Sequence, residues 1–99
     1  MDKRFTFHLK REWFDLIWSG DKTVEYREIK PHWTKMTAAL GQPFRATFVA
    51  GYVRGGRRVE ADVFKVDIGP CPYEGWSGDY YRFHFRVVKR IRAASKSKA

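Results

Sequence analysis

Two stretches of alternating apolar and polar residues, joined by a pair of glycines, constrain the fold of this chain more than any other feature. They cover residues 44–54 and 57–68, with Gly55 and Gly56 between them. A period of two is typical of half-buried strands, and two glycines suit a tight hairpin turn. The pattern therefore predicts a β-hairpin with one apolar face. Its register would make three apolar pairs: Tyr52 with Val59, Ala50 with Ala61, and Phe48 with Val63.

The opposite face of this hairpin pairs Gly51 with Glu60 and Val49 with Asp62 in the same register. A glycine in a strand leaves space for another group to approach the backbone. We therefore expect Gly51 and Glu60 to border a cleft. A register slip of one residue would exchange the two faces and remove this expectation.

Periodicity and turn residues predict the other elements as well. Pro31 ends one predicted strand, and Gly20 suits the end of an amphipathic helix. In chain order we expect a strand at 4–9, a helix at 10–19, a strand at 23–29, a short helix or irregular segment at 32–40, the hairpin, a loop at 69–81 and a strand at 82–92. Together these make one mixed α+β domain at 1–92, followed by a disordered basic tail at 93–99.

Size and composition are those of a single folded domain. The chain has 99 residues, 43% of them hydrophobic and 17% aromatic, which is enough for one modest core. No apolar run approaches the roughly 20 residues of a membrane span, and the first residues lack the pattern of a signal peptide. The single cysteine, Cys71, cannot form an internal disulfide. We expect a soluble, cytoplasmic protein that does not contact membranes.

The chain is strongly basic, with a formal net charge of +9. Five of these charges lie at 89–99, where there is no acidic residue, so the rest of the chain carries +4. A small domain with this excess attracts polyanions, and nucleic acid is the first partner to consider. The alternative is a tail that only raises solubility.

The segment GDKTVEYR at 20–27 places Lys22, Glu25 and Arg27 at the start of the second predicted strand. Glu25 and Arg27 are neighbours on one strand face. Arg27 can donate two parallel hydrogen bonds to a phosphate or a base edge, Lys22 supplies a compact charge, and Glu25 can accept from an exocyclic amine. We therefore expect a recess that holds a polar ligand. The alternative is a plain salt bridge between Glu25 and Arg27, with Lys22 in solvent.

A strand, then the helix KREWFDLIWSG, then GDKTVEYREIKPHW resembles the ASCH domain (activating signal cointegrator homology), especially its short phage and bacterial members. Gly20, Lys22, Glu25 and Arg27 match the GxKxxExR pattern of that family, and the resemblance extends from about Phe5 to Ile91. It implies a PUA-like fold: a small β-barrel of about five to six strands, with one main helix after the first strand and a second short helix. It also implies binding of RNA or nucleotides where the three charged residues meet.

Some bacterial members of this family hydrolyse the amide of N4-acetylcytidine, so the resemblance gives an amidohydrolase as the alternative function. Those enzymes use a lysine, a threonine nucleophile and a distant glutamate. Lys22 matches the lysine, but Glu25 occupies the place of the nucleophile and Thr23 lies two residues earlier. The distant glutamate belongs to an insert that this chain lacks, and only Glu60 or Glu74 offer a substitute.

Further residues are expected to complete the site. Trp33, or Trp76 in the aromatic loop at 73–81, would stack on a base, although that loop can equally be a plug over the end of the barrel. The basic residues expected to attract phosphates are Arg54, Arg57, Arg58, Arg86 and Arg90. In the last predicted strand, alternation places Phe83, Phe85, Val87 and Ile91 inward and makes a basic stripe of the outward residues Arg82, His84, Arg86, Arg90 and Arg92. The three histidines, His8, His32 and His84, lack metal-ligand spacing, and Cys71 has no evident base, so neither a metal nor a cofactor is expected. A third class of function is an adaptor that binds only proteins.

Overall fold

The computed structural model describes residues 3–51 and 56–92, and this part of the chain forms five strands and two helices. Their bounds are β1 Arg4–Leu9, α1 Arg11–Ser19, β2 Val24–Arg27, α2 Pro31–Leu40, β3 Phe44–Ala50, β4 Arg58–Pro70 and β5 Asp79–Ile91. The predicted order of elements is confirmed, although β2 and β3 are shorter than expected and β5 begins earlier. Arg54, Gly55 and the predicted tail at 93–99 lie outside the described residues.

All five strands belong to one mixed sheet in the order β1-β3-β4-β5-β2. The β1–β3 pair is parallel and the other neighbours are antiparallel. The sheet curls into a half-barrel, so the mixed α+β class is confirmed, whereas the expected closed barrel is not formed by the described residues. Two edges therefore remain, one on β1 and one on β2, and they face each other across an open seam.

The predicted hairpin exists, but its register differs from the prediction. Phe48 pairs with Val59 rather than with Val63, so β3 is displaced by four residues along β4. The cause is Gly51, which adopts a left-handed conformation with φ 65° and donates its N–H to the Leu9 carbonyl (2.8 Å), ending β3 early. An even displacement preserves the faces, and the expected apolar side is buried. Gly51, however, does not face Glu60, because Thr47 occupies that position.

The core is dominated by phenylalanine from three of the strands, β1, β3 and β5, and from α1. The largest fully buried side chains are Phe7, Phe14, Phe48, Phe83, Ile17, Val59 and Val63. Phe7 lies at the centre, with ring centroids 5.2 Å from Phe48 and 5.3 Å from Phe83. Offset and edge-on packing of this kind adds stability beyond the area buried.

Helix α1 covers one end of the core with Phe14 and Ile17 and ends at Gly20 as predicted, in a left-handed conformation with φ 93°. Two arginines hold it in place. Arg57 donates to the Asp15 carboxylate (2.8 Å) while its guanidinium lies over Phe14 and Trp18, and Arg90 donates to the Trp18 carbonyl (2.7 Å).

Strand β5 does not keep the simple alternation expected of it. Irregularities in its pairing with β4 leave Phe64 and Val88 without partners. Beyond Val88 the two faces of β5 exchange, since an extra residue inverts the alternation. Arg90 therefore shares the face of the buried Val59, and Ile91 pairs with Arg58, the reverse of the prediction.

Candidate ligand-binding site

A cleft of about 360 Å³ lies at the open seam between β1 and β2. The carboxyl end of β1 supplies one side, β2 supplies the other, and aromatic rings from α1, α2 and the β4–β5 loop complete it. The lining residues are His8, Leu9, Lys10, Trp13, Glu25, Tyr26, Arg27, Glu28, Trp33 and Trp76. The cleft is thus a direct product of the half-barrel, because a closed sheet would place β1 and β2 in contact.

The three charged residues of the GDKTVEYR segment converge beside this cleft. Glu25 is 4% exposed and receives Lys22 Nζ on Oε1 (2.8 Å) and Arg27 Nε on Oε2 (2.7 Å). Lys22 is also 4% exposed and donates a second hydrogen bond to the Val24 carbonyl (2.6 Å). Lys22 therefore does not point to solvent, and each carboxylate oxygen of Glu25 has a cationic partner.

Arg27 bridges the seam. Its Nη2 donates to the His8 carbonyl at the edge of β1 (3.2 Å), and its guanidinium lies 4.8 Å from the Trp33 ring and 5.4 Å from the Phe7 ring. A guanidinium has five N–H groups, and these two hydrogen bonds use two of them. The side chain is 22% exposed, so the remaining donors are accessible from the cleft in a fixed orientation.

A narrower recess of about 30 Å³ extends from the cleft beneath the aromatic loop. It is lined by Trp13, Lys22, Glu25, Tyr26, Tyr73 and Trp76. The ring centroids of Trp13 and Tyr73 are 4.9 Å apart, and those of Trp13 and Trp76 are 5.9 Å apart. The recess has room for one small substituent or a water molecule, and Lys22 and Glu25 of the triad are part of its lining.

Burial raises the pKa of the Tyr26 and Tyr73 phenols, and the nearby Cys71 thiol adds to the effect. Both tyrosines therefore stay neutral at physiological pH and keep their hydroxyl protons. The Lys22 ammonium lies 5.2 Å from the Tyr26 ring, so the ring contributes a cation–π contact to the triad.

The structure brings together most of the residues predicted for the ligand site. Trp33 and Trp76 line the same cleft as Glu25 and Arg27. Gly51 is not among the residues that line the cleft; its carbonyl lies 2.7 Å from Nδ1 of His8, which does line it. The prediction that Glu60 borders the cleft is wrong. Glu60 lies on β4 opposite Thr47, and its carboxylate pairs with Arg45 (3.5 Å) away from the cleft.

Lys22 and Glu25 are in contact, but Thr23 and Glu74, the other residues considered for catalysis near this segment and loop, line neither the cleft nor the recess. Thr23 is exposed, and its carbonyl accepts from the Phe85 N–H (3.2 Å) next to the first pair of β2. Glu74 is exposed in the loop between β4 and β5.

The arginines predicted to bind phosphate do not form one surface. Arg57 and Arg90 hold α1, as described above, and Arg58 begins β4 on the other side of the hairpin connection. Arg86 lies on the outer face of β5, near Phe64. The stripe expected along β5 is interrupted, because Asp67 accepts hydrogen bonds from both Arg82 and His84.

The sequence prediction missed Trp13, Tyr26, Lys10 and His8 as lining residues. Helical spacing places Trp13 on the apolar face of the helix, and alternation places Tyr26 on the uncharged side of β2. Spacing alone does not separate a buried ring from one that lines a cleft. The available signal was position: Trp13 is in the first turn of α1, immediately after the end of β1.

Within the described ranges there is no cluster of three or more metal-ligating side chains, and no described helix has the length and hydropathy to span a bilayer. Comparison of the whole chain with protein-family models, curated proteins and solved structures gave no match.

Proposed function

We propose that this chain is an ASCH-type domain with a PUA-like fold, and that it binds RNA, or a nucleotide derived from RNA, in the cleft between β1 and β2. The observation that carries the proposal is the Lys22–Glu25–Arg27 triad beside an aromatic-walled cleft, in which Lys22 and Glu25 are buried and Arg27 is partly exposed. Burying the charges of Lys22 and Glu25 costs desolvation energy, and such groups seldom add stability overall. Their position beside an opening therefore supports a binding role.

The chemistry of the cleft suits a base and its attached phosphate. Trp33, Trp13 and Trp76 supply ring faces for stacking, which is the sequence-tolerant part of single-strand recognition. Arg27 supplies oriented donors for carbonyl or phosphate oxygens. Glu25 keeps unused lone pairs beside its two cations and can accept from an exocyclic amine. The volume of about 360 Å³ lies within the range of small-molecule pockets.

Fluorescence titration with nucleoside monophosphates tests the proposal, since three tryptophans line the cleft. Replacement of Trp33 by leucine leaves the ion triad intact and should weaken binding about tenfold through lost stacking. A double Lys22→Ala, Arg27→Ala variant should weaken it further, provided that circular dichroism shows the fold is retained. The matched control replaces the exposed pair Lys30 and Lys35 by alanine.

Affinity for a short RNA should also fall as salt rises, because a basic protein releases counterions when it binds a polyanion. Unchanged affinity in both cleft variants, or binding insensitive to salt, would contradict the proposal.

The alternative, hydrolysis of an acylated nucleoside, draws support from the close approach of Lys22 Nζ to Glu25 (2.8 Å) at the end of the recess. Its weakness is the nucleophile, since Thr23 is exposed and Glu25 is engaged by two cations. Incubation with N4-acetylcytidine separates the two functions: a binding domain returns the substrate unchanged, whereas a hydrolase releases cytidine and acetate.

A further inference from the structure

A second groove, of about 430 Å³, opens at the amino end of β1, four residues along the strand from His8. We call it the outer groove and define it by Lys3, Arg4, Arg45, Asp62, Phe64 and Arg86. A strand rises ~3.3 Å per residue, so Arg4 in the groove and His8 in the cleft lie about 13 Å apart along β1. The outer groove is therefore a separate surface from the proposed nucleotide site.

The outer groove is basic because of strand register. Arg4 pairs with Arg45, Arg45 with Asp62, and Asp62 with Arg86, so one row of charged side chains crosses β1, β3, β4 and β5. The groove has four cations against one carboxylate, a net charge of +3.

Two of the cations already have protein partners. Arg45 pairs with Asp62 (2.8 Å), and Lys3 donates to the Ala39 carbonyl (2.8 Å). Arg4 and Arg86 are both exposed and present their charge to solvent beside the groove.

Phe64 gives this basic row an aromatic platform. It is the unpaired residue at the irregularity in β4, and it is 51% exposed. The Arg86 guanidinium lies 5.7 Å from its ring centroid, and the His84 ring lies 6.4 Å away on the same strand as Arg86. The ring is therefore held between neighbours while half of it remains accessible.

We propose that the outer groove is a binding site for single-stranded nucleic acid, in which a base stacks on Phe64 and the flanking phosphates contact Arg4 and Arg86. An aromatic face next to a row of cations is the combination used for unpaired strands. A protein partner fits less well, because interface cores exclude charged residues and five of the eight residues that line this groove are charged.

Fluorescence anisotropy of a labelled oligouridylate of roughly ten nucleotides tests this site. Phe64→Leu keeps an apolar side chain but removes the stacking face, and affinity should fall about tenfold. Phe64→Tyr keeps the face and should stay within about twofold of wild type. Ile68→Ala is the matched control, since Ile68 is an equally exposed apolar residue of β4 (54%) and is not part of the groove; it should also stay within about twofold.

The charge component is tested with Arg86→Gln, for which the slope of log affinity against log salt should become shallower by about one. Equal affinity of Phe64→Leu and wild type would overturn the proposal. Equal losses for Phe64→Leu and Phe64→Tyr would do so too. If inorganic polyphosphate binds as tightly as the oligonucleotide and loses as much in Phe64→Leu, the groove does not recognise bases and the proposal is wrong.

The outcome is independent of the proposed cleft function. Mononucleotide titration followed by tryptophan fluorescence reports on the cleft, and Phe64→Leu should leave it unchanged. Conversely, Phe64→Leu should lower the affinity for the oligonucleotide by the same factor in a Trp33→Leu background as in the wild type. Failure of the cleft titration alone would reject the proposed function and not the outer groove.

Discussion

Glu25 is the residue on which the candidate site depends. Its two oxygens hold Lys22 and Arg27, and through Arg27 it also fixes the contact across the seam to His8. Removing one partner from a buried ion pair leaves the other charge uncompensated, which costs more than the pair contributes. Glu25 should therefore be the most sensitive position of the triad.

We predict that Glu25→Gln lowers the free energy of unfolding by about 3 kcal/mol, because the amide cannot neutralise the buried Lys22 ammonium and the partly buried Arg27 guanidinium. Urea denaturation followed by circular dichroism measures this. Glu28→Gln is the matched control: its partner Lys30 and Glu28 itself are each 64% exposed, and surface pairs contribute at most about 1 kcal/mol. A Glu25→Gln variant as stable as the control would show that the triad is not tightly coupled.

Among the elements, β4 and β5 are joined on their outer face by Asp67. Its carboxylate accepts from Arg82 Nε (2.8 Å) and Nη2 (3.0 Å) and lies 3.1 Å from His84 Nε2. Gly69 makes room for this arrangement, since a Cβ there would lie 2.5 Å from the Arg82 guanidinium carbon. The network fixes the register of both strands beyond the irregularity at Phe64.

The Arg82 guanidinium, aided by His84, holds the pKa of the Asp67 carboxyl well below its usual range. A carboxyl whose pKa is lower in the folded state stabilises the fold at pH values above its unfolded-state pKa, which is about 4. This stabilisation is lost as the pH falls towards the folded-state pKa. We predict that Asp67→Asn is less stable than wild type at about pH 7 and that the difference narrows between about pH 5 and pH 2.

Thermal denaturation across that pH range measures the difference. In an Arg82→Gln background, Asp67→Asn should have a much smaller effect, because the principal donor is absent. A difference that does not change with pH would contradict this assignment.

At the scale of the whole molecule, the half-barrel is held across its open seam by a side chain rather than by strand pairing. Among the described strands, β2 is the shortest, with four residues, and it pairs with β5 alone, so it is the weaker edge of the sheet. The bond from Arg27 to the His8 carbonyl ties it to β1. This bond therefore helps to hold the two sides of the cleft together.

We predict that Arg27→Lys speeds amide hydrogen exchange in β2 about tenfold. A lysine keeps the charge near Glu25 but lacks the planar fork that donates to Glu25 and His8 together. Amides of β3 and β4 should exchange as in wild type. Arg11→Lys, on the exposed surface of α1, is the matched control. Uniformly faster exchange would instead indicate global destabilisation.

The sequence predicted the elements and most of the site because both depend on local information. Alternation in 4–9 and 57–68, the helical spacing before Gly20 and the GDKTVEYR segment each lie within a few residues of chain. The hairpin register was wrong because it depended on where β3 ends, and a contact from Gly51 to Leu9, more than 40 residues away, decides that.

The sequence by itself determined a mixed α+β domain, an apolar hairpin face and three charged residues near one another. Only the tertiary structure decided that the sheet stays open, that Trp13 and Tyr26 line its seam, that Glu60 lies elsewhere, and that Phe64 joins a basic row. The physical reason is that residue periodicity fixes which side of an element is apolar, whereas curvature, strand register and seam contacts arise from packing between elements distant in sequence.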